Sequence, residues 1–214
     1  GTGVAALTAS TPDNTEADAC VATDAGVVCT IMVADCLPVL LAHTSGAVVG
    51  AAHAGWRGLA GQSGVGVLES AMRALFERFQ ALALTSKAQA AIENVANNAE
   101  SFEAVARGTL AWLGPCIGPQ AFEVGPEVRE AFCAAGPQYS ACFVPSPTQQ
   151  GKWLADLAGL ARLRLQAMGV TRIYGNDSSA AWCTVTQSAR FFSHRRDTAL
   201  LGGSGRLAAC IWRG

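Results

Sequence analysis

The stretch Val33-Ala34-Asp35-Cys36-Leu37-Pro38-Val39-Leu40-Leu41-Ala42, the turn Thr44-Ser45-Gly46 and the apolar run 47–53 ending at His53 read together as one β-hairpin. Apolar, β-branched runs flank a turn of small polar residues, which is the pattern of two buried strands joined tightly. Residues 26–33 before it read as a further buried strand. Residues 58–79 after it read as a helix, because Val65, Leu68, Met72, Leu75, Phe76 and Phe79 recur on one face at helical spacing. A hairpin followed at once by a helix argues for a mixed sheet and against strict βαβ alternation.

Working outward, residues 81–107 are Ala-rich and polar, with Asn94, Asn97 and Asn98, and read as an insertion, part helical and part mobile. Residues 109–113 resume strand character. Residues 127–134 and 153–168 read as helices, the second through Leu154, Leu157, Leu160, Ala161 and Leu165. Residues 170–174, 189–192 and 207–212 read as short closing strands. The expectation is one domain over 1–214 with the 81–107 insertion. There is no internal repeat, Walker loop or GxGxxG.

Composition narrows the function classes. Half of the 214 residues are hydrophobic and 14% are charged, which suits a compact enzyme rather than a disordered chain. Fifteen basic and 16 acidic residues leave a net charge of −1, so the basic excess that nucleic-acid binding needs is missing. No uninterrupted apolar run is long enough for a membrane span. Eight cysteines sit mostly in apolar surroundings with no CxxC pair, so they read as buried thiols in a reducing cytoplasm rather than a disulfide framework or a zinc knuckle. The chain opens on Gly1, not Met, which is read as an upstream part being absent.

The chemistry collects around Cys36 and His53. A turn centred between Thr44 and Ser45 sets these two opposite each other, with Cβ atoms about 5 Å apart. That spacing suits two ligands of one metal ion or a Cys–His nucleophile pair. A slip of one residue would send the two side chains to different faces. Pro38 suggests an edge strand or bulge. Asp35 adjoins Cys36, and Ala54-Gly55-Trp56-Arg57-Gly58 ends a strand and opens a helix, with Arg57 as a fixed charge for phosphate. The blander readings are packing for the Cys–His pair and a core-stacked helix cap for Trp56 and Arg57. His43, beside the turn, reads as solvated. Cys116 reads as packing in a pocket-lining loop. Asp156 is either a support to the site or a helix cap.

Four segments occur in order: ADCLPVL (34–40), HAGWRG (53–58), LGPCIGP (113–119) running on to Phe122-Glu123-Val124-Gly125, and FFSHRRD (191–197). This string resembles the YfiH family, also called the laccase or polyphenol-oxidase domain family, from about Asp18 to the C-terminus apart from the insertion. The resemblance implies an α/β fold of mixed β-sheets with helices outside, in α/β/β/α layers like the cytotoxic necrotizing factor toxins. It implies a zinc, or copper, site in which Cys36 and His53 are two of three protein ligands. The third, a histidine of a His-Gly pair, would fall just before Gly1, so the chain is expected to be N-terminally shortened.

The activities implied are phosphorolysis of adenosine, inosine or methylthioadenosine, and adenosine deamination. Small-molecule nucleoside and phosphate are then the partners, with no nucleic acid or membrane, for a monomer or weak homodimer. Cys36, His53 and Asp35 would be catalytic, and Arg57, His194, Arg195 and Arg196 would bind substrate or phosphate. Copper-dependent phenol oxidation ranks second, because three histidines (His43, His53, His194) are too few for a multicopper centre. A metal-free Cys–His hydrolase and a non-enzymatic remnant are the remaining alternatives.

Overall fold

The computed structural model describes residues 1–12, 15–84 and 101–214. Among the described residues eleven strands run in chain order: β1 (Val4–Leu7), β2 (Ala19–Ala22), β3 (Cys29–Val33), β4 (Leu37–His43), β5 (Val49–Ala54), β6 (Thr109–Leu113), β7 (Glu123–Val124), β8 (Phe143–Pro145), β9 (Trp153–Ala155), β10 (Arg172–Gly175) and β11 (Leu207–Ile211). The helices are α1 (Trp56–Ala60), α2 (Val67–Leu84), α3 (Phe102–Gly108), α4 (Pro126–Cys133), α5 (Leu157–Ala167) and α6 (His194–Leu201).

A six-stranded sheet in the order β1-β2-β5-β4-β6-β10 forms the centre, and its pairings are mixed. β1 with β2 and β6 with β10 are parallel, whereas the three inner pairs are antiparallel. Strand alternation gives this sheet two buried faces. Ala19, Val21, Val39, Leu41 and Ala52 point to the side covered by α2, α3 and α5, in one large core. Cys20, Ala22, Val49 and Ala51 point to the other side, against Cys29, Ile31 and Val33 of the antiparallel pair β3–β11. The fold is therefore mixed α/β with helices on one face of a sheet and a second sheet on the other. A small sheet β7-β9-β8 lies apart.

The helix after the hairpin breaks in two. α1 ends at Gly61, where φ is +66° and a Cβ would lie within contact distance of the Val65 backbone, so only glycine fits. α2 then buries Leu68, Met72, Leu75 and Phe79 as the periodicity predicts, each burial stabilising by about 1.5–3 kcal/mol. Val65 instead lies half exposed in the connecting loop. The 81–107 segment is helical at both described ends, in α2 and α3, and 85–100 lie outside the described residues.

Other expectations need correction. Residues 153–155 are a strand, because Asp156 caps α5 by accepting a hydrogen bond from Gly159 N at 2.8 Å and so fixes its start one residue later. Residues 189–192 are not a strand. β3 is buried on one face only, with Met32 63% exposed. The short strands β1, β2, β7 and β8 carry too little periodic signal to be seen in sequence.

Candidate functional site

The hairpin register differs from the sequence expectation by two residues. Pro38, not Cys36, lies opposite His53, and the ladder continues to Ala42 opposite Val49. The loop is longer than a turn centred on Thr44-Ser45 allows: His43 N bonds Val48 O at 3.1 Å, and Gly46 takes φ +70°. A shift of two preserves the face to which each side chain points, so Cys36 and His53 stay on one face as diagonal neighbours. β4 lies between β5 and β6, so Pro38 is not on an edge strand; it sits near the strand's start, where its missing N–H costs no ladder bond.

Gly55 reveals how close the two groups are. A Cβ added there would lie 3.0 Å from Cys36 Sγ and 3.9 Å from His53 Nε2. Gly55 is also the N-cap of α1, so the strand-to-helix corner is what clears room beside the thiol. His53 Nε2 is buried and has no hydrogen-bond partner. Burial pushes the His53 pKa down; Asp18 pulls it up, and the amino terminus and Arg206 press it down again. The imidazole is thus held neutral with a free ring nitrogen. Burial, then the Asp35 charge, pushes the Cys36 thiol up, and Arg206 opposes them.

Asp35 binds the loop together. It is buried, and its φ of +81° is an unusual backbone state for a residue with a side chain. Oδ1 accepts from Thr184 Oγ1 at 2.5 Å, Oδ2 accepts from Arg195 N at 2.6 Å, and the Asp35 carbonyl accepts from Ile117 N at 2.9 Å. Three of the four motif segments therefore meet at Asp35, and the fourth meets Cys36 through Gly55. Both carboxylate oxygens already have protein donors, so the geometry gives Asp35 the placing of Cys36 rather than contact with a substrate.

The basic candidates separate. All five Arg196 donors are used within the protein: Nε and Nη2 on Asp197, Nη1 on the Thr184 and Val185 carbonyls, and Nη2 again on Phe191 O. These bonds tie α6 to the 184–191 loop. Arg195 reaches Glu123 O at 3.4–3.5 Å. His194 is exposed, with Nδ1 3.0 Å from Thr198 Oγ1. Arg57 is exposed and stacks 4.5 Å over Trp56. His43 is not solvated: it is 6% exposed, packed 4.4 Å from Phe79, with Nδ1 2.8 Å from Ser45 Oγ.

Two nearby residues escaped sequence reasoning. Asp18 faces His53 across the β2–β5 ladder, where His53 N bonds Asp18 O at 2.8 Å, and its carboxylate lies 3.1 Å from the Gly1 nitrogen. Arg206 precedes β11, 170 residues after Cys36. No local pattern could announce either pairing. Among the described residues no group of three or more His, Cys, Asp and Glu could hold a metal ion, so the donor set on hand is the pair Cys36 and His53. A thiol and an unpartnered imidazole nitrogen suit zinc or copper. The eight cysteines form no disulfide. No helix among the described residues is long and apolar enough to cross a membrane.

A mixed α/β fold that seats a cysteine beside an orphaned histidine at the end of a central hairpin has the build of an enzyme. The chain belongs to the family described as multi-copper polyphenol oxidoreductase laccase, whose profile matches residues 1–92 and 85–214. It is similar to the purine nucleoside phosphorylase YfiH of Escherichia coli K12, with 42% identity over 213 residues, covering 99% of this chain and 70% of that protein. It is 40% identical to the purine nucleoside phosphorylase PA4543 of Pseudomonas aeruginosa, over 98% of this chain and 70% of that one. Among solved structures, Neisseria meningitidis protein NMB0706 matches with a TM-score of 0.70 at 39% identity, over 92% of this chain and 65% of that chain. YlmD of Geobacillus stearothermophilus matches with a TM-score of 0.70 at 28% identity, over 100% of this chain and 70% of that one.

Proposed function

We propose that this chain carries the metal-binding core of a purine nucleoside phosphorylase, which transfers the ribose of adenosine, inosine or methylthioadenosine to inorganic phosphate and also deaminates adenosine. The observation that supports this reading most is His53 Nε2, buried without a partner beside the Cys36 thiol. An orphaned buried acceptor costs about 1–3 kcal/mol, and a metal ion would remove that cost. The names borne by the relatives supply the substrate class.

Cys36 Sγ and His53 Nε2 would hold zinc, or copper, with the family's further histidine as third ligand. When bound, the ion supplies Lewis acidity that stabilises charge developing on the substrate or on water. Asp35 fixes the loop that presents Cys36, and Gly55 keeps the space beside the thiol open. His53 stays neutral at physiological pH and so keeps its lone pair for the ion.

A metal-free Cys–His hydrolase fits less well. Such a pair needs the imidazole bonded to the thiol and the thiol pKa lowered, whereas His53 Nε2 bonds nothing and Cys36 is pushed up. For phenol oxidation, His43 is buried against Phe79 and His194 is exposed on α6, so no histidine cluster supports a multicopper centre. The test is base release from adenosine by the zinc-loaded protein, with and without phosphate. Release that requires phosphate and disappears in Cys36→Ser is expected. Release unaffected by phosphate and by Cys36→Ser would contradict the proposal.

A further inference from the structure

Two cysteines apart from the Cys36–His53 pair lie side by side. Cys116, in the segment after β6, and Cys183, in the loop before α6, are partners in an isolated parallel bridge. Both hydrogen bonds of that bridge are made. Cys116 N donates to Trp182 O at 3.2 Å, and Thr184 N donates to Cys116 O at 2.9 Å. Paired residues point to the same face, on backbones about 4.8 Å apart, and a disulfide spans about 4.4–6.8 Å between Cα atoms. Both residues are free thiols.

The two sulfurs have unlike surroundings. Cys183 lines a cavity of about 130 Å³ together with Gly118, Gln120, Ser179 and Thr186. A water occupies about 30 Å³, so a molecule the size of hydrogen peroxide fits there. Cys183 Sγ accepts from Gly118 N at 3.2 Å, and a Cβ at Gly118 would stand 2.9 Å from that sulfur, so a glycine lets the amide approach it. Burial pushes the Cys183 thiol up, but the Thr186 hydroxyl and the N–H groups of Thr186, Gly118 and Val185 outweigh it and hold the thiol below its ordinary value. Cys116 is buried and does not line the cavity. Its Sγ accepts from Asn176 Nδ2 at 3.3 Å, while burial and then the Asp156 charge push its thiol well up. A sulfur with donors aimed at it thus faces a cavity, and its ladder partner is a neutral thiol. An attacking and a resolving cysteine differ in this way.

We propose that Cys183 is a peroxide-reactive thiol and that Cys116 resolves it to a Cys116–Cys183 disulfide, a modification site that stands independently of the phosphorylase reading. The oxidant is hydrogen peroxide. The Cys183 thiolate bonds one peroxide oxygen, the O–O bond breaks, and the departing hydroxide takes up a proton to become water. Cys183 is left as a sulfenic acid. Cys116 sulfur then attacks Cys183 sulfur, the S–O bond breaks, and the hydroxyl leaves as water with the Cys116 proton. The two sulfurs together give up the two electrons that the peroxide accepts. Thr184, next in the chain, donates to Asp35 Oδ1 at 2.5 Å, so the new bond forms one residue from a contact that places Cys36.

The test is equimolar hydrogen peroxide on the zinc-loaded protein at neutral pH, then alkylation of the remaining thiols and peptide mapping by mass spectrometry. Mapping reads each cysteine separately, so the result stands whether or not Cys36 holds zinc. A Cys116–Cys183 peptide should appear, about 2 Da lighter than its two reduced parts together. Cys116→Ala should abolish it and leave a Cys183 sulfenic acid that dimedone captures, and Cys183→Ser should abolish both products. Thr186→Ala, at an exposed position, removes a donor to the sulfur and should slow the oxidation about 3- to 10-fold while unfolding at the wild-type temperature. A Cys183 that stays open to alkylation while Cys36 or the exposed Cys210 is oxidised would overturn the assignment. So would a crosslink from Cys183 to any other cysteine, or an unchanged oxidation rate in Thr186→Ala.

Discussion

Replacing Gly55 with alanine would test the geometry of the candidate metal site at a single atom. The new Cβ would lie 3.0 Å from Cys36 Sγ. Non-bonded carbon atoms prefer about 3.5–4.0 Å, so the sulfur must retreat by half an ångström or more. A zinc–thiolate bond of about 2.3 Å tolerates only about ±0.2 Å. His53 Nε2, at 3.9 Å from the same Cβ, is left in ordinary contact, so the perturbation falls on one ligand. Overpacking of this kind costs about 1–3 kcal/mol, which is a loss in zinc affinity of about 5- to 150-fold. The fold should suffer less. Gly55 has φ −72°, a value alanine adopts freely, and the loss of a glycine N-cap costs at most about 1 kcal/mol, a Tm change of about 2–4 °C. Zinc affinity is measured by competition with a chromophoric chelator, with thermal unfolding of the metal-free protein in parallel. A Gly55→Ala protein that binds zinc as tightly as wild type would refute the placement of Cys36 Sγ in the metal shell.

Other perturbations read other parts of the structure. Asp35→Ala removes two charge-assisted hydrogen bonds of about 1.5–3 kcal/mol each and leaves φ +81° to a residue that tolerates it poorly. Chemical denaturation should show a loss of about 3 kcal/mol or more, with Asp35→Asn losing clearly less, and equal losses would count against the hydrogen-bond account. Arg164→Ala leaves Glu69 Oε1 and two carbonyls without their donor beneath the α1–α2 loop and should cost about 3–5 kcal/mol, seen as a Tm drop of several degrees. His43 and His53 both have pKa values lowered mainly by burial, so the unfolded chain takes up protons first as the pH falls. Their contribution is complete above the ordinary histidine value of about 6.5 and is lost as pH falls through it toward the lower folded values. The metal-free protein should therefore lose stability as the pH falls through about 6.5, and His43→Gln should flatten that slope.

The parts of the fold that could be read from sequence are those governed by local periodicity. The buried face of α2 and the strands β4, β5 and β6 follow from apolar spacing alone. The hairpin register did not, because the φ +70° state at Gly46 lengthens the loop and moves its centre by one residue. The shift was by two in pairing, an even number, so the association of Cys36 with His53 survived the error. The division of labour within His194-Arg195-Arg196-Asp197 was invisible, since which arginine faces inward depends on where α6 starts. Ser193 sets that by accepting from Arg196 N at 3.1 Å. Arg206 was missed because β11, which it precedes, pairs with β3, far away in the chain, and antiparallel pairing at that distance leaves no local trace.

The most direct test of the central claim is X-ray absorption at the zinc edge on the reconstituted protein, wild type beside Cys36→Ser and His53→Gln. One zinc per chain with a sulfur scatterer at about 2.3 Å and nitrogen or oxygen scatterers at about 2.0–2.1 Å is expected. The sulfur shell should vanish in Cys36→Ser, and the imidazole signal should weaken in His53→Gln. A zinc environment that lacks sulfur in the wild type, or that neither substitution alters, would contradict a metal site built on Cys36 and His53.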